Sequence, residues 1–219
     1  MKDLRPIKGS YYIAGLIAEG EHEHQDFKYS ISDARKIARS VSAFANNDGG
    51  RLLIGVKDNG VVAGVRDEED IFVVEQAAQM YCRPEVELKF TAFRVDGGLT
   101  VIRAEIARSE QRPVLASEPD GRWRAYYRVA DENIVAHPLM LRVWDMERDN
   151  AGMLYRLDEP QQRVARILEN ATQPMDVGTI ARAAHISVFA AEDAIVGLVG
   201  MHRARFAYDG QHFGVLPVI

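Results

Sequence analysis

The sequence predicts an α+β fold in two parts: a mixed β-sheet with flanking helices over residues 1–150, then a small winged helix-turn-helix domain over residues 151–219. Three observations predict it. Residues 1–150 interleave stretches of helical and strand period, the pattern of a mixed sheet with helices packed on it. Residues 151–219 carry three helical stretches and then a short β pattern, the order of a winged helix. Apolar residues make up 47% and charged residues 27% of the 219, enough for a core and unlike a disordered, collagen-like or coiled-coil chain.

The clearest helix is Asp33 to Asn46, where Ala34, Ile37, Ala38, Val41 and Ala45 recur at the spacing of one buried face and Ser32 stands as N-cap. Arg35, Lys36 and Arg39 fall off that stripe and are expected in water. Asn46-Asn47-Asp48-Gly49-Gly50 then turns the chain into Arg51 to Val56, whose Leu52-Leu53-Ile54 reads as a strand buried on both faces. Asp58-Asn59-Gly60 is a second tight turn, and Val61 to Val65 is the expected return strand of a hairpin. A second helix runs from Asp67 to Cys82, with acids at its positive end and Arg83-Pro84 at its stop.

Leu88 to Val95 and Leu99 to Ile106 flank Asp96-Gly97-Gly98 as a hairpin, and Ala107 to Gly121 reads mostly as loop. Trp123 to Val129 alternates, placing Trp123, Ala125, Tyr127 and Val129 on one face and Arg122, Arg124, Tyr126 and Arg128 on the other. A helix from Pro138 to Arg148 closes the first segment, and the boundary falls near Asp149, Asn150 and Gly152. Beyond it the pattern gives helices Glu159 to Ala171, Val177 to Ala184 and Val188 to Met201, then a hairpin of Arg203 to Ala207 and Gln211 to Val218.

The charge balance, 27 Lys plus Arg against 32 Asp plus Glu, gives a net charge of -5, so a nucleic acid partner must meet a local basic patch. The split is even: 21 basic and 25 acidic residues before the boundary, six and seven after it. The single cysteine, Cys82, suits a reducing compartment. No run long and apolar enough for a signal core or a membrane span occurs, so a soluble, cytoplasmic protein without a membrane partner is expected.

Three groups of residues carry chemistry. Four carboxylates and two imidazoles fall within Glu19 to Asp26, and carboxylates suit hard divalent cations. In an extended chain Glu21 and Asp26 have opposite parity, so joining them needs a bulge or a loop; the alternative is a solvated acidic loop leading into a strand. The basic-aromatic face of Arg122, Arg124, Tyr126 and Arg128, joined by Arg35, Lys36 and Arg39, is the candidate nucleic-acid surface, because guanidinium forks match phosphate and tyrosine stacks on unpaired bases. Its alternative is a wet sheet face whose charges pair with nearby acids. The Asn46 to Gly50 turn lacks the phosphate-loop spacing and follows a helix instead of a strand, so ATP binding is not expected.

The run Glu21-x-x-x-x-Asp26-Phe27-Lys28, the long motif from Ala43 to Gly60, then Gly64-Val65 and Tyr127-Arg128-Val129, resembles the Schlafen AlbA-like domain over roughly residues 10–137, as found in compact bacterial proteins with a C-terminal helix-turn-helix. The resemblance implies work on DNA or RNA, as a bacterial transcriptional regulator. Because animal members cleave structured RNA, it also implies the alternative of an endoribonuclease, with Glu21, Asp26 and Asp58 as catalytic acids holding Mg²⁺ or Mn²⁺. The basic groove of the animal proteins comes from two such domains in one chain, so here it would need a homodimer. In the second segment, helix Val188 to Met201 begins with Val188, Phe189, Glu192 and Asp193, which favours dimerisation or partner docking over DNA reading, although Arg203 and Arg205 lie in the wing. A module that only assembles with protein is the remaining alternative.

Overall fold

The computed structural model describes residues 4–29, 31–65, 69–149 and 156–218. Contacts divide the chain into two compact units, Met1–Ala136 and His137–Ile219.

The first unit is built around helix α2, introduced here with its neighbours in chain order: β1 (Ile7–Lys8), α1 (Ser10–Glu19), β2 (Gln25–Lys28) and α2 (Ala34–Asn46). Asp33, not Ser32, caps α2. Asp33 holds the extended conformation that precedes the first helical residue, and its side chain accepts the Arg35 N–H. The predicted apolar stripe is only part of the buried surface, since every residue from Ser40 to Asn46 is buried.

Below α2 lies a five-stranded sheet in the order β1-β5-β6-β3-β2, with β3 (Gly50–Ile54), β5 (Leu88–Arg94) and β6 (Thr100–Ile106). It is mixed: β1 with β5 and β2 with β3 run parallel, while β6 is antiparallel to both β5 and β3. On one face Leu52, Ile54, Ile102 and Ala104 pack with Val41 and Phe44 of α2 and with Val74 of α3 (Glu69–Met80). On the other, Leu53, Phe27, Phe93 and Val101 pack under Ile13 and Leu16 of α1. Two covered faces are why Leu52-Leu53-Ile54 is apolar without alternation.

A second, antiparallel sheet in the order β4-β7-β8-β9 holds β4 (Cys82–Arg83), β7 (Leu115–Ser117), β8 (Trp123–Val129) and β9 (Glu132–Val135). Ala116 and Tyr126 of this sheet enter the same core as α2. The asparagine of the Ala43 to Gly60 motif fastens the two together. Asn46, 1% exposed, donates to the carbonyls of Val114 and Tyr126 at 2.9 and 2.8 Å and accepts the Val114 N–H at 2.7 Å.

Several expectations change. The hairpin of Val61 to Val65 reduces to one isolated bridge, Val56 to Val62, because both edges of β3 are already taken by β2 and β6. Gly55, at φ +97, turns the chain out of the sheet there, and a Cβ on it would sit 2.7 Å from the Gly64 carbonyl carbon. The hairpin of β5 and β6 forms as expected, whereas the expected loop from Ala107 to Gly121 includes β7. The expected helix start at Asp67 and Glu68 lies outside the described residues, as do Asn150 and Gly152 of the expected boundary.

Helix α4 (Pro138–Asp149) belongs to the second unit, not the first. Its Leu139 and Val143 share a core with Val164 of α5 (Glu159–Leu168), Ile180 of α6 (Val177–Ala184) and Ile195 of α7 (Val188–Gly200). An antiparallel hairpin of β10 (Ala204–Tyr208) and β11 (Phe213–Pro217) follows, with Met175 bridging to Val215. Asp158 with Gln161 forms a capping box on α5, and Asp176 and Ser187 cap α6 and α7. No single helix among the described residues is long and apolar enough to cross a membrane.

Replacing Asn46 would strand an N–H and two carbonyls in the core. Asn46→Ala is expected to cost on the order of 3 kcal/mol in urea unfolding; a loss within experimental error would show that α2 and the second sheet do not depend on that side chain.

Candidate functional site

The acidic segment doubles back on itself. His22 and Gln25 exchange both backbone hydrogen bonds, at 3.0 and 3.1 Å, closing a tight turn over Glu23 and His24. That turn is the loop that the opposite parity of Glu21 and Asp26 demands. It brings Glu21 alongside β2, where its Oε1 accepts the Phe27 N–H at 2.8 Å and its carboxyl hydrogen-bonds that of Asp26. Burial, then this contact with Asp26, pushes Glu21 up to about 7. Burial acts to raise Asp26 too, but the hydrogen bond from Glu21 and the charges of Lys28 and Arg128 outweigh it and hold Asp26 below its ordinary value.

Asp26 is ringed by partners. Lys28 Nζ lies 2.7 Å from Oδ2, Ser40 Oγ donates to Oδ2 at 3.1 Å, and Arg128 Nη2 lies 3.5 Å from Oδ1. Arg128 is itself 1% exposed and donates to the carbonyls of His22 and Gln25 and to Asn133 Oδ1, with its guanidinium over the Phe44 ring. Asn47 closes the network by accepting the Arg128 N–H and donating to its carbonyl.

These residues do not fit a divalent cation. Such an ion needs several free oxygen ligands, whereas both oxygens of Asp26 face cations and Glu21 is turned to the Phe27 N–H and to Asp26. Asp58 sits exposed in the turn after Lys57, and among the described residues no group of three or more His, Cys, Asp or Glu could hold a metal ion. Glu21 and Asp26 therefore converge, Asp58 does not join them, and no catalytic step through a metal follows from this arrangement.

The expected basic face is also revised. β8 is covered on both sides from Ala125 to Arg128, so Tyr126 and Arg128 are buried against α2 instead of facing water. Tyr126 donates its hydroxyl to Glu118, and Arg39 binds the same carboxylate through both Nε and Nη2. Burial and Glu118 push Tyr126 up to about 12, while Arg39 and Tyr126 overcome the burial of Glu118 and hold it low. Arg122 and Arg124 each lie within 3.8 Å of Asp120, and Arg35 stacks over Tyr81. The contiguous cationic strand face of the sequence reading thus breaks into paired or buried groups.

What remains is a cleft of about 570 Å³ beside the first turns of α2, lined by Lys28, Lys36 and Arg39 together with Tyr29, Ser32 and Asn133, and by the acids Asp33 and Glu132. Lys36 is exposed and makes no ion pair among the described residues. Glu118 and Asn133, which sequence patterning missed, matter as much as the arginines they hold. No period marks them, because each is fixed by a contact between distant segments.

A family model described as Schlafen, AlbA_2 matches residues 21–137, more than half of the chain. The chain belongs to the Schlafen AlbA_2 family. Among curated proteins none matches it. Two solved structures are similar to it. The DIP2311 protein of Corynebacterium diphtheriae is 20% identical over 67% of this chain and 29% of that one, with a TM-score of 0.43. The N-terminal domain of a protein of Nitrosomonas europaea named as related to the ATP-dependent DNA helicase RecG is 18% identical over 60% of this chain and 97% of that one, with a TM-score of 0.41. The match thus spans less than a third of the C. diphtheriae protein. Within the Schlafen AlbA_2 region of this chain, the Asn46-Asn47 pair ties α2 to the second sheet and the acidic run ends in the Asp26–Arg128 pair.

Two tests follow. Arg128→Lys keeps the charge but a single ammonium cannot serve four acceptors, so unfolding should show a loss of roughly 3 kcal/mol; a loss below about 1 kcal/mol would refute the clamp. Glu21, raised from 4.5 to about 7, contributes stability that is complete below its unfolded value and fades as pH rises through about 7. Asp26, shifted the other way, acts only below its ordinary 3.8. Stability measured from about pH 5 to about pH 8 should fall with rising pH, and Glu21→Gln should remove that part of the slope; an unchanged slope would contradict the raised Glu21 carboxyl.

Proposed function

We propose that the first unit is a nucleic-acid-binding module, holding the sugar-phosphate backbone in the cleft beside α2, and that the chain acts as a transcriptional regulator. One observation carries the reading: Lys28, Lys36 and Arg39 converge on a single cleft, against two lining acids. Membership of the Schlafen AlbA_2 family supports it. Ammonium and guanidinium groups gathered in a concave site meet phosphate at short range, where screening is weakest, so a chain of net charge -5 can still bind a polyanion.

Fluorescence anisotropy against duplex DNA, single strands and transfer RNA tests this. Lys36→Glu should weaken all of them alike and lower the slope of log affinity against log salt by about 1. Binding no tighter than that of a charge-matched control protein would remove the reading.

A second reading concerns assembly. Val188 and Phe189, 53% and 70% exposed, form an apolar pair on the first turn of α7, which supports dimerisation through the second unit. Light scattering should then report a dimer that Phe189→Glu converts to a monomer; a mass unchanged by the substitution would refute it.

A further inference from the structure

We infer that the acidic segment serves to present Lys28 as a phosphate-gripping group, so that the cleft holds one backbone phosphate between Lys28 and Lys36. This rests on the nucleic-acid reading and deepens it by naming the group held and the side chains that hold it.

The three cations of the cleft are not equivalent. Arg39 is committed: the Glu118 side chain is 8% exposed, its carboxylate is neutralised by Arg39, and drawing Arg39 toward a ligand would strand that charge. Lys28 stands differently. Its ammonium has three donors, of which one meets Asp26 Oδ2 at 2.7 Å and one the Phe27 carbonyl at 2.9 Å. The third has no partner among the described residues. Asp26 does not need Lys28 exclusively, since Arg128 and Ser40 also reach its oxygens. A phosphate can therefore share Lys28, or take it over, without leaving a buried carboxylate uncompensated.

Position agrees with chemistry. Lys28 ends β2, Lys36 lies in the first turn of α2, and both line the same cleft, with Ser32 and Asn133 supplying further donors. The turn over Glu23 and His24, the Glu21 cap on the Phe27 N–H and the Arg128 clamp all fix β2, so the Lys28 ammonium is held at the cleft before any ligand arrives. In this chain the acids of the turn position a lysine.

The test uses the full chain and a short fluorescein-labelled oligonucleotide, with Lys28→Gln, Lys28→Arg and Lys36→Gln. Lys28→Gln should weaken binding about tenfold, the worth of one hydrogen bond to a charged group, and lower the salt slope by about 0.9. It should melt within about 4 °C of the wild type because Asp26 keeps Arg128 and Ser40. Lys28→Arg should retain most of the affinity. If Lys36→Gln weakens binding and Lys28→Gln does not, Lys28 is only a strut for Asp26: the inference falls and the nucleic-acid reading stands. Unfolding of Lys28→Gln would overturn it in the same way. Failure of the wild-type protein to bind any oligonucleotide removes both.

Discussion

Arg128 is the charge on which the first unit turns. At 1% exposure it carries a full positive charge into the interior, a placement that costs several kcal/mol unless each of its nitrogens finds an acceptor and a counter-ion is close. Both conditions hold: two carbonyls, one amide oxygen and the Asp26 carboxylate surround the guanidinium, and the Phe44 ring covers its face. The carbonyls belong to the acidic turn and to β2, the arginine to β8, and the ring to α2. One side chain thereby fixes the relative placement of two sheets and the helix between them. Loss of any neighbour would expose the cost of the buried charge, which makes the arrangement cooperative.

That constraint decides what the acids can do. A carboxylate used to compensate a buried arginine is not available to a divalent ion without releasing the arginine, and release is the expensive event. The same logic sorts the cations. Arg39 and Arg128 answer buried acids and are held in place, whereas Lys28 adds one more partner to an acid that already has Arg128, Ser40 and Glu21, and Lys36 answers none among the described residues. Of the four cations, the two lysines are the ones that can turn to another partner without stranding a buried acid.

Much of this architecture is readable in the sequence, and the failures share a cause. Asp33 to Asn46, Leu88 to Ile106 and Trp123 to Val129 are legible because period and turn chemistry agree over a long stretch. Helix α1 is not: only Ile13 and Leu16 are buried in its ten residues, too few to make a stripe. The face of Arg122, Arg124, Tyr126 and Arg128 reads as solvated because alternation marks which residues share a side, not which side is wet, and arginines in general lie at the surface. Arg128 breaks that default through contacts some 100 positions away in the chain, which no local window contains. The boundary lies at residue 136 instead of near residue 150 for a like reason, since Pro138 to Asp149 looks the same whichever core it packs on.

Helix α4 also changes how the second unit should be weighed. Sequence sets Glu192 and Asp193 at the start of α7 as acids opposed to phosphate, yet α4 brings Arg142 to both, 3.6 Å from Glu192 and in direct contact with Asp193. The repulsion expected of those two carboxylates is therefore reduced, while the exposed Val188 and Phe189 one turn earlier keep their apolar character. A surface that is apolar at its tip and charge-balanced at its flank is better suited to protein contact than to a phosphate backbone. If copies join there, each dimer carries two clefts. Two lysines per cleft make a site of modest affinity alone, because few phosphates are neutralised. Linked clefts bind one strand with an affinity set by their effective concentration as well as by the separate contacts. A modest cationic site on an acidic chain then becomes workable through pairing, without a larger basic surface.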